Sequence, residues 1–443
     1  MPKEFGQGKI HLIPKSGGSA NDISKWRPIT LLNTVYKLLA KIVARRLTSL
    51  LPQLIHPSQT GFVRNRSILD NLFSFWEAVA LAKRTNNKVA VVLLDFEKAY
   101  DRVCWNFLES VMGKLGFQET WIKGIAGLYR NDTSCVSLAG ERGPFFRISR
   151  SVRQGCPLAP SLFLLYAEAL SCFLNSRELN LRGLPVPHSP QSILDIEFAD
   201  DTAVYLQGDL ENLKKLESGL AVFCKRSNAM INWHKSCAIW LSQETHPAWH
   251  PHPAFKWINQ GASTKYLGFQ IGFNIPPETM IAPVIHSIRQ KLIHWSSKKL
   301  SLAGRIIVAN QVLLATAWYS LSCWTISKKS IHQIQRLVRN YIWSGKEDHV
   351  TRAKVAWPIL TTPKSRGGLG LIDPLSQSKA LLAKFVVRGL QPGNDCWKML
   401  LRLRFAYFRP RKGVNWAPQT GWILNMDLKP SFSRQLEDRF SAS

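Results

Sequence analysis

Hydrophobic and polar positions alternate along the chain in patterns that predict both strands and helices. The run KVAVVLLDF, residues 88–96, is apolar and rich in β-branched side chains until it ends on an acid. That pattern is typical of a central strand that is buried on both faces. The pattern predicts a further short strand over residues 9–14, and two strands joined by a tight turn over residues 193–207.

Helical periodicity covers much of the remaining chain. It predicts helices over residues 31–51, 68–83, 158–174 and 210–226. A short strand pair is predicted after Lys265, and helices dominate beyond residue 281. In IHQIQRLVRNYIW, residues 331–343, the apolar side chains share one face while Arg336 and Arg339 lie on the other. The pattern as a whole predicts an α+β fold with a helical C-terminal region.

Composition indicates a folded chain with a polyanionic partner. The 443 residues include 45% hydrophobic residues, 20% charged residues and 16 tryptophans, which excludes a disordered protein. The length suffices for two or three domains. The formal net charge of +29 favours nucleic acid over a membrane surface as the partner.

The positive charge is concentrated towards the C-terminus. From residue 281 onwards there are 26 Lys and Arg against 7 Asp and Glu, a balance of +19. Subtraction from the totals of 58 and 29 leaves 32 against 22, or +10, for the residues before it. The C-terminal third is therefore the predicted nucleic-acid-binding region.

Cysteine usage and the apolar segments restrict the compartment. The eight cysteines include no C-x-x-C pair, which argues against a zinc ribbon and a disulfide framework and fits a reducing compartment. The start of the chain has no secretory signal pattern, so we expect the nucleus or the cytoplasm. Residues 306–324 are apolar but contain Asn310 and Gln311, and we expect a buried helix there without a membrane partner.

Three aspartates stand at the ends of predicted strands. Asp95 follows the buried run, and Asp200 and Asp201 lie at the tip of the predicted hairpin. Strand ends and hairpin tips of one sheet can be neighbours, and such carboxylates can hold two divalent metals for phosphoryl transfer. Aspartate is also a common turn residue, so these residues alone leave the two interpretations open.

The segments around these aspartates occur in a recognisable order. LLDFEKAYDRV (93–103), SVRQGCPLAPSLFLLYAEAL (151–170) and FADD (198–201) together resemble the reverse transcriptase family, specifically the LINE-type, non-LTR retrotransposon enzymes common in plants. Further blocks extend the resemblance from about residue 9 to 390, including IHLIPKSGGSANDISKWRPITLLNTVYKLLAKIVARRL (10–47), HPSQTGFVRNRSILDNL (56–72), KYLG (265–268), WSSKKLSLAGRIIVANQVLL (295–314) and PKSRGGLGL (363–371).

The resemblance implies an RNA-directed DNA polymerase with a right-hand fold of fingers, palm and thumb, built on an antiparallel palm sheet. The implied domains are fingers and palm over residues 1–275, a basic helical thumb over 276–390 and an extension over 391–443. The implied partners are an RNA template, a DNA primer and a dNTP, while the oligomeric state stays open. No upstream endonuclease or CCHC zinc knuckle is evident, so the chain is expected to be the polymerase region alone.

The resemblance also assigns the three aspartates. Asp95, Asp200 and Asp201 become the catalytic carboxylates, and with Phe96 they form the set that contacts Mg²⁺, with Mn²⁺ as an alternative. In this chemistry one metal lowers the pKa of the primer 3′ hydroxyl and the other neutralises the leaving pyrophosphate.

Further positions match the family's nucleotide-binding pattern. Lys15 and Arg27 are expected to hold the triphosphate, since both side chains bind phosphate. Tyr100 matches the steric gate against a 2′ hydroxyl, and Gln154 with Gly155 would contact the nucleotide. Surface cations, a core aromatic and a helix-leading turn are the structural alternatives for these residues.

Lys235 is a candidate general acid for pyrophosphate departure, with an ordinary exposed lysine as the alternative. Asn228 stands where relatives usually have glycine, and asparagine is the best-tolerated substitute if φ is positive there. The primer grip and the nucleic-acid backbone contacts are assigned to Tyr266, Leu267, Gly268, Arg305, Arg336 and Arg339.

Other functions on the same core remain open at this stage. One is a non-catalytic remnant that only binds nucleic acid, and another is a maturase-like factor for intron splicing. An RNA-dependent RNA polymerase is disfavoured because the turn carries FADD in place of GDD and because Tyr100 matches a gate against ribonucleotides.

Overall fold

The computed structural model describes residues 3–15, 21–130, 133–138, 140–187, 189, 192–243, 247, 249–250, 255–346, 352–393 and 395–407. The chain divides into two compact units, Met1–Ile258 and Asn259–Ser443. We predicted the first boundary after residue 275. The structure places it earlier because the 264–271 hairpin belongs to the second unit, where Tyr319 donates a hydrogen bond to the Leu267 carbonyl at 2.6 Å. Most of the predicted 391–443 extension lies outside the described residues.

The strands of the first unit are β1 (Gly8–Pro14), β2 (Trp26–Leu32), β3 (Val89–Leu94), β4 (Thr133–Leu138), β5 (Glu141–Arg142), β6 (Phe146–Arg147), β7 (Leu184–Pro185), β8 (Ser192–Ile193), β9 (Asp195–Phe198), β10 (Asp201–Gln207), β11 (Cys237–Trp240) and β12 (Lys256–Ile258). Its helices are α1 (Thr34–Leu54), α2 (Ile68–Thr85), α3 (Trp105–Lys114), α4 (Glu119–Tyr129), α5 (Ala159–Leu174) and α6 (Leu210–Ser227). Short 3₁₀ helices occupy Lys3–Gly6, Ile23–Lys25 and Ala99–Arg102.

The central sheet of this unit has the strand order β12-β11-β3-β10-β9. As predicted, β3 is central and completely buried, and β9 and β10 form the expected hairpin. As predicted, the pairing is antiparallel, apart from β11 and β12, which run parallel. A second sheet has the order β2-β1-β4-β5, with β6 also on β4. Strand β2 ends at Leu32, so the helix predicted from residue 31 begins at Thr34, as α1.

Helices α5 and α6 cover one face of the central sheet. Val92 and Leu94 of β3 share a core with Leu170 and Leu174 of α5 and Leu220 of α6. Each fully buried aliphatic side chain of this kind contributes about 1.5–3 kcal/mol. The helix ends follow local signals: Asp209 caps the start of α6, and Asn228 ends it with φ of 66°. The structure thus supports the explanation given for asparagine at position 228.

The second unit contains β13 (Thr264–Tyr266), β14 (Phe269–Ile271), α7 (Pro277–Ser296), α8 (Leu302–Val308), α9 (Ala315–Cys323), α10 (Lys328–Ser344), α11 (Trp357–Thr361), α12 (Pro374–Leu390) and α13 (Cys396–Tyr407). A π-helical turn, Ala309–Leu314, joins α8 to α9, and a 3₁₀ turn occupies Lys364–Arg366. The predicted two-faced pattern of α10 is confirmed, since its apolar residues are buried and Arg336 and Arg339 are exposed.

One helical stretch of the described residues, Leu302–Cys323, is long and apolar enough to cross a membrane. Half of its most apolar window is buried within the protein. Leu313, Leu314 and Leu321 belong to the hydrophobic core that this stretch shares with α7 and α10. The segment therefore contributes to the core of the second unit.

Candidate active site

The ends of β3 and β10 bring the three predicted aspartates together. Leu94 pairs with Thr202 across the antiparallel strands, so Asp95 and Asp201, the adjoining residues, lie opposite one another. Opposed residues of such strands have Cβ atoms roughly 4.5–5.5 Å apart. Asp200 occupies the two-residue turn between Phe198 and Asp201. The other turn residue, Ala199, has φ of 55°, a conformation that usually favours glycine.

The electrostatics of these carboxylates confirm that they are neighbours. Burial and then the charge of Asp95 raise the pKa of Asp200, although a backbone hydrogen bond opposes the shift. Burial, with repulsion from Asp200 and Asp95, raises the pKa of Asp201 to about 6. Asp201 is exposed at the surface, where repulsion by neighbouring carboxylates still favours the neutral form.

Two predicted cations act on Asp95. Burial raises its pKa, and the charges of Lys235 and then Lys15 lower it. Lys235 is positioned by the segment after Asn228, where the backbone N–H of Asn232 donates to the Asp95 carbonyl at 2.7 Å. The next residue, Phe96, pairs with Ile231. The segment that contains Lys235 therefore lies along the end of β3, which places Lys235 near Asp95.

The Tyr100 ring lies beside the acids and is held by aromatic stacking. Its ring stacks on Phe163 of α5 with centroids 4.5 Å apart and planes 10° from parallel. Burial and then the charge of Asp200 raise the pKa of the Tyr100 hydroxyl. The side chain is thus both partly in the core and close to a predicted metal ligand.

Gln154 and Gly155 dock against the strand that carries Arg27. The N–H of Thr30 donates to the Gln154 carbonyl at 2.8 Å. Gly155 has φ of 110°, and a Cβ atom there would lie 2.4 Å from the Thr30 carbonyl oxygen, so only glycine fits. Arg27 is exposed on β2 and pairs with Ile13 of β1. Lys15 follows two residues after Ile13 in the chain.

The remaining predicted residues belong to the second unit. Tyr266 and Phe269 pair across a two-residue turn in which Leu267 and Gly268 have φ of 49° and 79°. Positive φ at both positions defines a type I′ hairpin turn. The predicted hairpin is confirmed, while its role as a primer grip stays a prediction.

Arg305, which we predicted to contact the nucleic-acid backbone, lies at the end of helix α10. Its guanidinium donates to the carbonyls of Ile342 and Trp343 at 3.1 and 3.4 Å, at the C-terminus of α10. Cations stabilise the carbonyl end of a helix. The structure therefore gives Arg305 a helix-capping role, and its predicted phosphate contact stays a prediction, whereas Arg336 and Arg339 are exposed.

Sequence patterns missed a buried polar network next to the turn. Gln59 bonds to Ala199 and to Glu197, and burial with the nearby carboxylates of Asp195 and Glu168 raises the pKa of Glu197. Asp195 accepts hydrogen bonds from Ser58 and from α5. Gln59 lies in the quoted block HPSQTGF, but a glutamine in a loop carries no periodic signal.

The donor chemistry of the site fits a hard divalent cation. The acids offer only carboxylate oxygens, and a cation would relieve their mutual repulsion. No group of three or more His, Cys, Asp or Glu side chains in the described part of the chain is close enough to hold a metal ion by itself. The arrangement thus fits a cation that keeps water or nucleotide phosphate in its coordination, as Mg²⁺ does.

Comparison with known proteins identifies the family. The model of the family described as reverse transcriptase (RNA-dependent DNA polymerase) matches residues 13–271, and the chain belongs to this family. Reverse transcriptases in general use divalent metal ions and bind nucleic acids. The match includes all three aspartates and the predicted nucleotide-binding residues.

The relatives include proteins of non-LTR retrotransposons, which confirms that resemblance. The chain is 31% identical over 442 residues to the transposon TX1 uncharacterized 149 kDa protein of Xenopus laevis, covering 98% of this chain and 33% of that protein. It is 30% identical over 382 residues to the Pol polyprotein of the R2 element of Popillia japonica, covering 84% of this chain and 52% of that one. The chain therefore spans a third to a half of these two curated relatives. The plant-type assignment stays a prediction.

A solved structure of apo telomerase from Candida tropicalis aligns over 92% of this chain and 68% of its own, with 12% identity and a TM-score of 0.45.

Proposed function

We propose that the chain catalyses RNA-directed DNA polymerisation, adding a deoxynucleotide from a dNTP to the 3′ hydroxyl of a primer paired with an RNA template. The observation that carries the proposal is the meeting of Asp95, Asp200 and Asp201 at the ends of β3 and β10. Acids whose pKa values are raised by one another are typical of functional sites, since folding alone does not favour them.

Each side chain around the acids has a role in this reaction. Asp95, Asp200 and Asp201 hold the divalent cations, Mg²⁺ by preference and Mn²⁺ as an alternative, and the Phe96 backbone completes the set. When bound, these cations lower the pKa of the attacking hydroxyl and neutralise the developing charge on pyrophosphate.

The cationic and aromatic residues orient the nucleotide. Lys15 and Arg27 bind the triphosphate, and Lys235, whose charge reaches Asp95, donates the proton as pyrophosphate leaves. Tyr100, fixed by its stack on Phe163, excludes a 2′ hydroxyl. Gln154 and Gly155 contact the nucleotide from the loop that docks on β2.

The second unit supplies contacts to nucleic acid. The hairpin turn at Tyr266, Leu267 and Gly268 guides the primer, and Arg336 and Arg339 on α10 bind backbone phosphates. Both arginines are exposed, and phosphate contacts of this kind are independent of sequence.

Primer extension tests the proposal directly. Purified protein is given oligo(dT) on poly(rA) with dTTP and Mg²⁺, beside the Asp200→Ala, Asp201→Ala double variant. The matched control is the Glu119→Gln, Glu211→Gln double variant, which also removes two negative charges but from exposed helix-surface ion pairs. Such pairs contribute little to stability.

The expected result is extension by the wild type and the control, and none by the aspartate variant. If the wild type binds template and primer but extends nothing, the chain is a non-catalytic nucleic-acid-binding protein and the proposal is overturned. Extension by the aspartate variant would also overturn it, because the carboxylates would then be ordinary turn residues.

A further inference from the structure

Gln59 bonds to both sides of the residue that precedes Asp200. Its Oε1 accepts from the Ala199 N–H at 2.8 Å, and its Nε2 donates to the Ala199 carbonyl at 3.2 Å. The same amide accepts from the Gly61 N–H at 2.9 Å and donates to Glu197 Oε2 at 3.0 Å. With 1% of its surface exposed, Gln59 is buried with every amide atom in use.

The backbone around Gln59 attaches to the outer edge of the central sheet. The Thr60 N–H donates to the Glu197 carbonyl at 2.8 Å, and the Glu197 N–H donates to the Ser58 carbonyl at 2.9 Å. These bonds make residues 58–60 a short extra strand beside β9, the last strand of the sheet. The glutamine is therefore held in a fixed register relative to the catalytic turn.

Ala199 needs this support because its backbone is in the left-handed region, with φ of 55°. Residues other than glycine persist there only when their surroundings determine the conformation. Gly61 allows the loop to come this close, since a Cβ atom at Gly61 would lie 2.5 Å from the Ala199 nitrogen. Asp200 follows directly, so the orientation of its carboxylate depends on how Ala199 is held.

We propose that Gln59 is a positioning residue for the reaction, which clamps the Ala199 peptide groups and so orients the Asp200 carboxylate towards the place that a catalytic cation would occupy. This inference rests on the proposed function and assigns a new residue to that site. Gln59 touches neither nucleotide nor metal. Its effect is on the geometry of the carboxylate, and geometry of this kind governs the rate of the bound complex more than the binding of the nucleotide.

The test compares Gln59→Met with Gln59→Glu. Methionine keeps the length and volume of the side chain and removes all four hydrogen bonds. Glutamate keeps the acceptor for the Ala199 and Gly61 N–H groups and removes the donor to the Ala199 carbonyl and to Glu197 Oε2. Gln53→Met is the matched control, because Gln53 is exposed near the end of α1 in the same chain region.

In single-nucleotide addition we expect Gln59→Met to lower kcat on the order of 10–100-fold, with the KM for dTTP nearly unchanged. Gln59→Glu should fall between Gln59→Met and the wild type, and Gln53→Met should match the wild type. Equal kcat for Gln59→Met and the wild type, or a loss that only follows the fraction of folded protein, overturns the proposal.

A second readout decides the proposal if the wild type extends no primer. Hydrogen exchange of peptides spanning residues 196–204 reports the Ala199 N–H, which Gln59 protects. Exchange at this amide should accelerate in Gln59→Met and stay unchanged in Gln53→Met. Unchanged exchange in Gln59→Met overturns the clamp, whereas wild-type inactivity with accelerated exchange overturns only the proposed activity.

Discussion

Asp201 in the first unit and Asp373 in the second have opposite surroundings. Burial alone would raise the pKa of Asp373, but hydrogen bonds from Ser376, Trp357 and Gln335 together hold it below its usual value. Asp373 caps the start of α12 and accepts from all three side chains at 2.9 Å. The pKa of Asp201 is raised to about 6, with Asp200 and Asp95 adding to burial.

This difference separates an acid that stabilises the fold from acids that we propose serve a reaction. Asp373 is a carboxylate whose charge the protein satisfies, and removing it should cost stability without touching chemistry. The acids on β3 and β10 repel one another, so their arrangement lowers stability. A bound cation would offset this repulsion. Substitutions of these two kinds of acid should therefore have opposite effects on rate and stability.

Asp95→Asn should lower the rate of nucleotide addition by on the order of 10²–10³-fold or more, because it removes a charge that stabilises the transition state through the bound cation. The free energy of unfolding should not fall, since the substitution relieves repulsion. Single-turnover addition and urea unfolding measure the two quantities. A rate within threefold of the wild type would contradict the assigned role.

Asp373→Ala should have the opposite effects on the rate of nucleotide addition and on the free energy of unfolding. It removes a helix cap and leaves Trp357 Nε1 and Gln335 Nε2 without their acceptor, which should lower the free energy of unfolding by about 2–4 kcal/mol. The rate per folded molecule should stay unchanged. Urea unfolding checks the first outcome, with Asp373→Asn as the milder variant because its amide oxygen still caps the helix. A stable Asp373→Ala protein would show that these bonds contribute little.

Tyr100→Ala should raise the use of rUTP relative to dTTP by roughly 10–100-fold, because the ring that excludes the 2′ hydroxyl is lost. Tyr100→Phe should keep the wild-type preference, since the ring and not the hydroxyl makes the wall. Competition between the two nucleotides in primer extension measures the ratio. An unchanged preference in Tyr100→Ala would leave Tyr100 as a core aromatic.

The Arg336→Gln, Arg339→Gln double variant should bind template–primer less tightly and depend less on salt. Each phosphate contact contributes about 0.9 to the slope of log K against log salt, so the slope should fall by nearly 2. Arg305→Gln is the control within the same unit, because its guanidinium caps α10. It should lower stability and leave the slope unchanged; an equal loss of slope would restore Arg305 to the phosphate-binding set.

The pH dependence of unfolding gives the smallest effect. Asp201 has a folded pKa of about 6, above the reference value of 3.8, so the folded state binds more protons between these values. Its contribution to stability therefore decreases as pH rises through this window. In Asp201→Asn the metal-free protein should lose less stability between pH 4 and 6.5 than the wild type. Identical pH profiles would show that repulsion at the site is negligible.

Much of the fold was predictable because periodic burial leaves a periodic sequence. The buried strand β3, the β9–β10 hairpin and helices α2, α5, α6 and α10 follow the patterns from which they were predicted. The helix predicted over residues 31–51 is observed as α1 from Thr34, but Leu31 and Leu32 pair with β1 and form the end of β2. Tertiary pairing overrides local periodicity in this way at short apolar runs.

The site was predictable only in part. The aspartates were found by their order in the family blocks, and the structure brings Lys15, Lys235 and Tyr100 to them. Gln59 could not be found, because its proposed role comes from hydrogen bonds to Glu197 and Ala199, which are distant in sequence, and to Gly61 in its own loop. The helix-capping bonds of Arg305 were missed for a related reason: sequence shows that a side chain is charged, not whether it bonds to a helix end.

Manganese binding is the measurement that tests the contrast most directly. Electron paramagnetic resonance reports free Mn²⁺ as it is titrated with protein, primer on an RNA template and an uncleavable dNTP analogue. We expect wild type and Asp373→Asn to remove Mn²⁺ from solution equally, while the Asp200→Ala, Asp201→Ala variant binds at least tenfold more weakly. Equal binding by the aspartate variant would contradict the claim that these acids hold the metal.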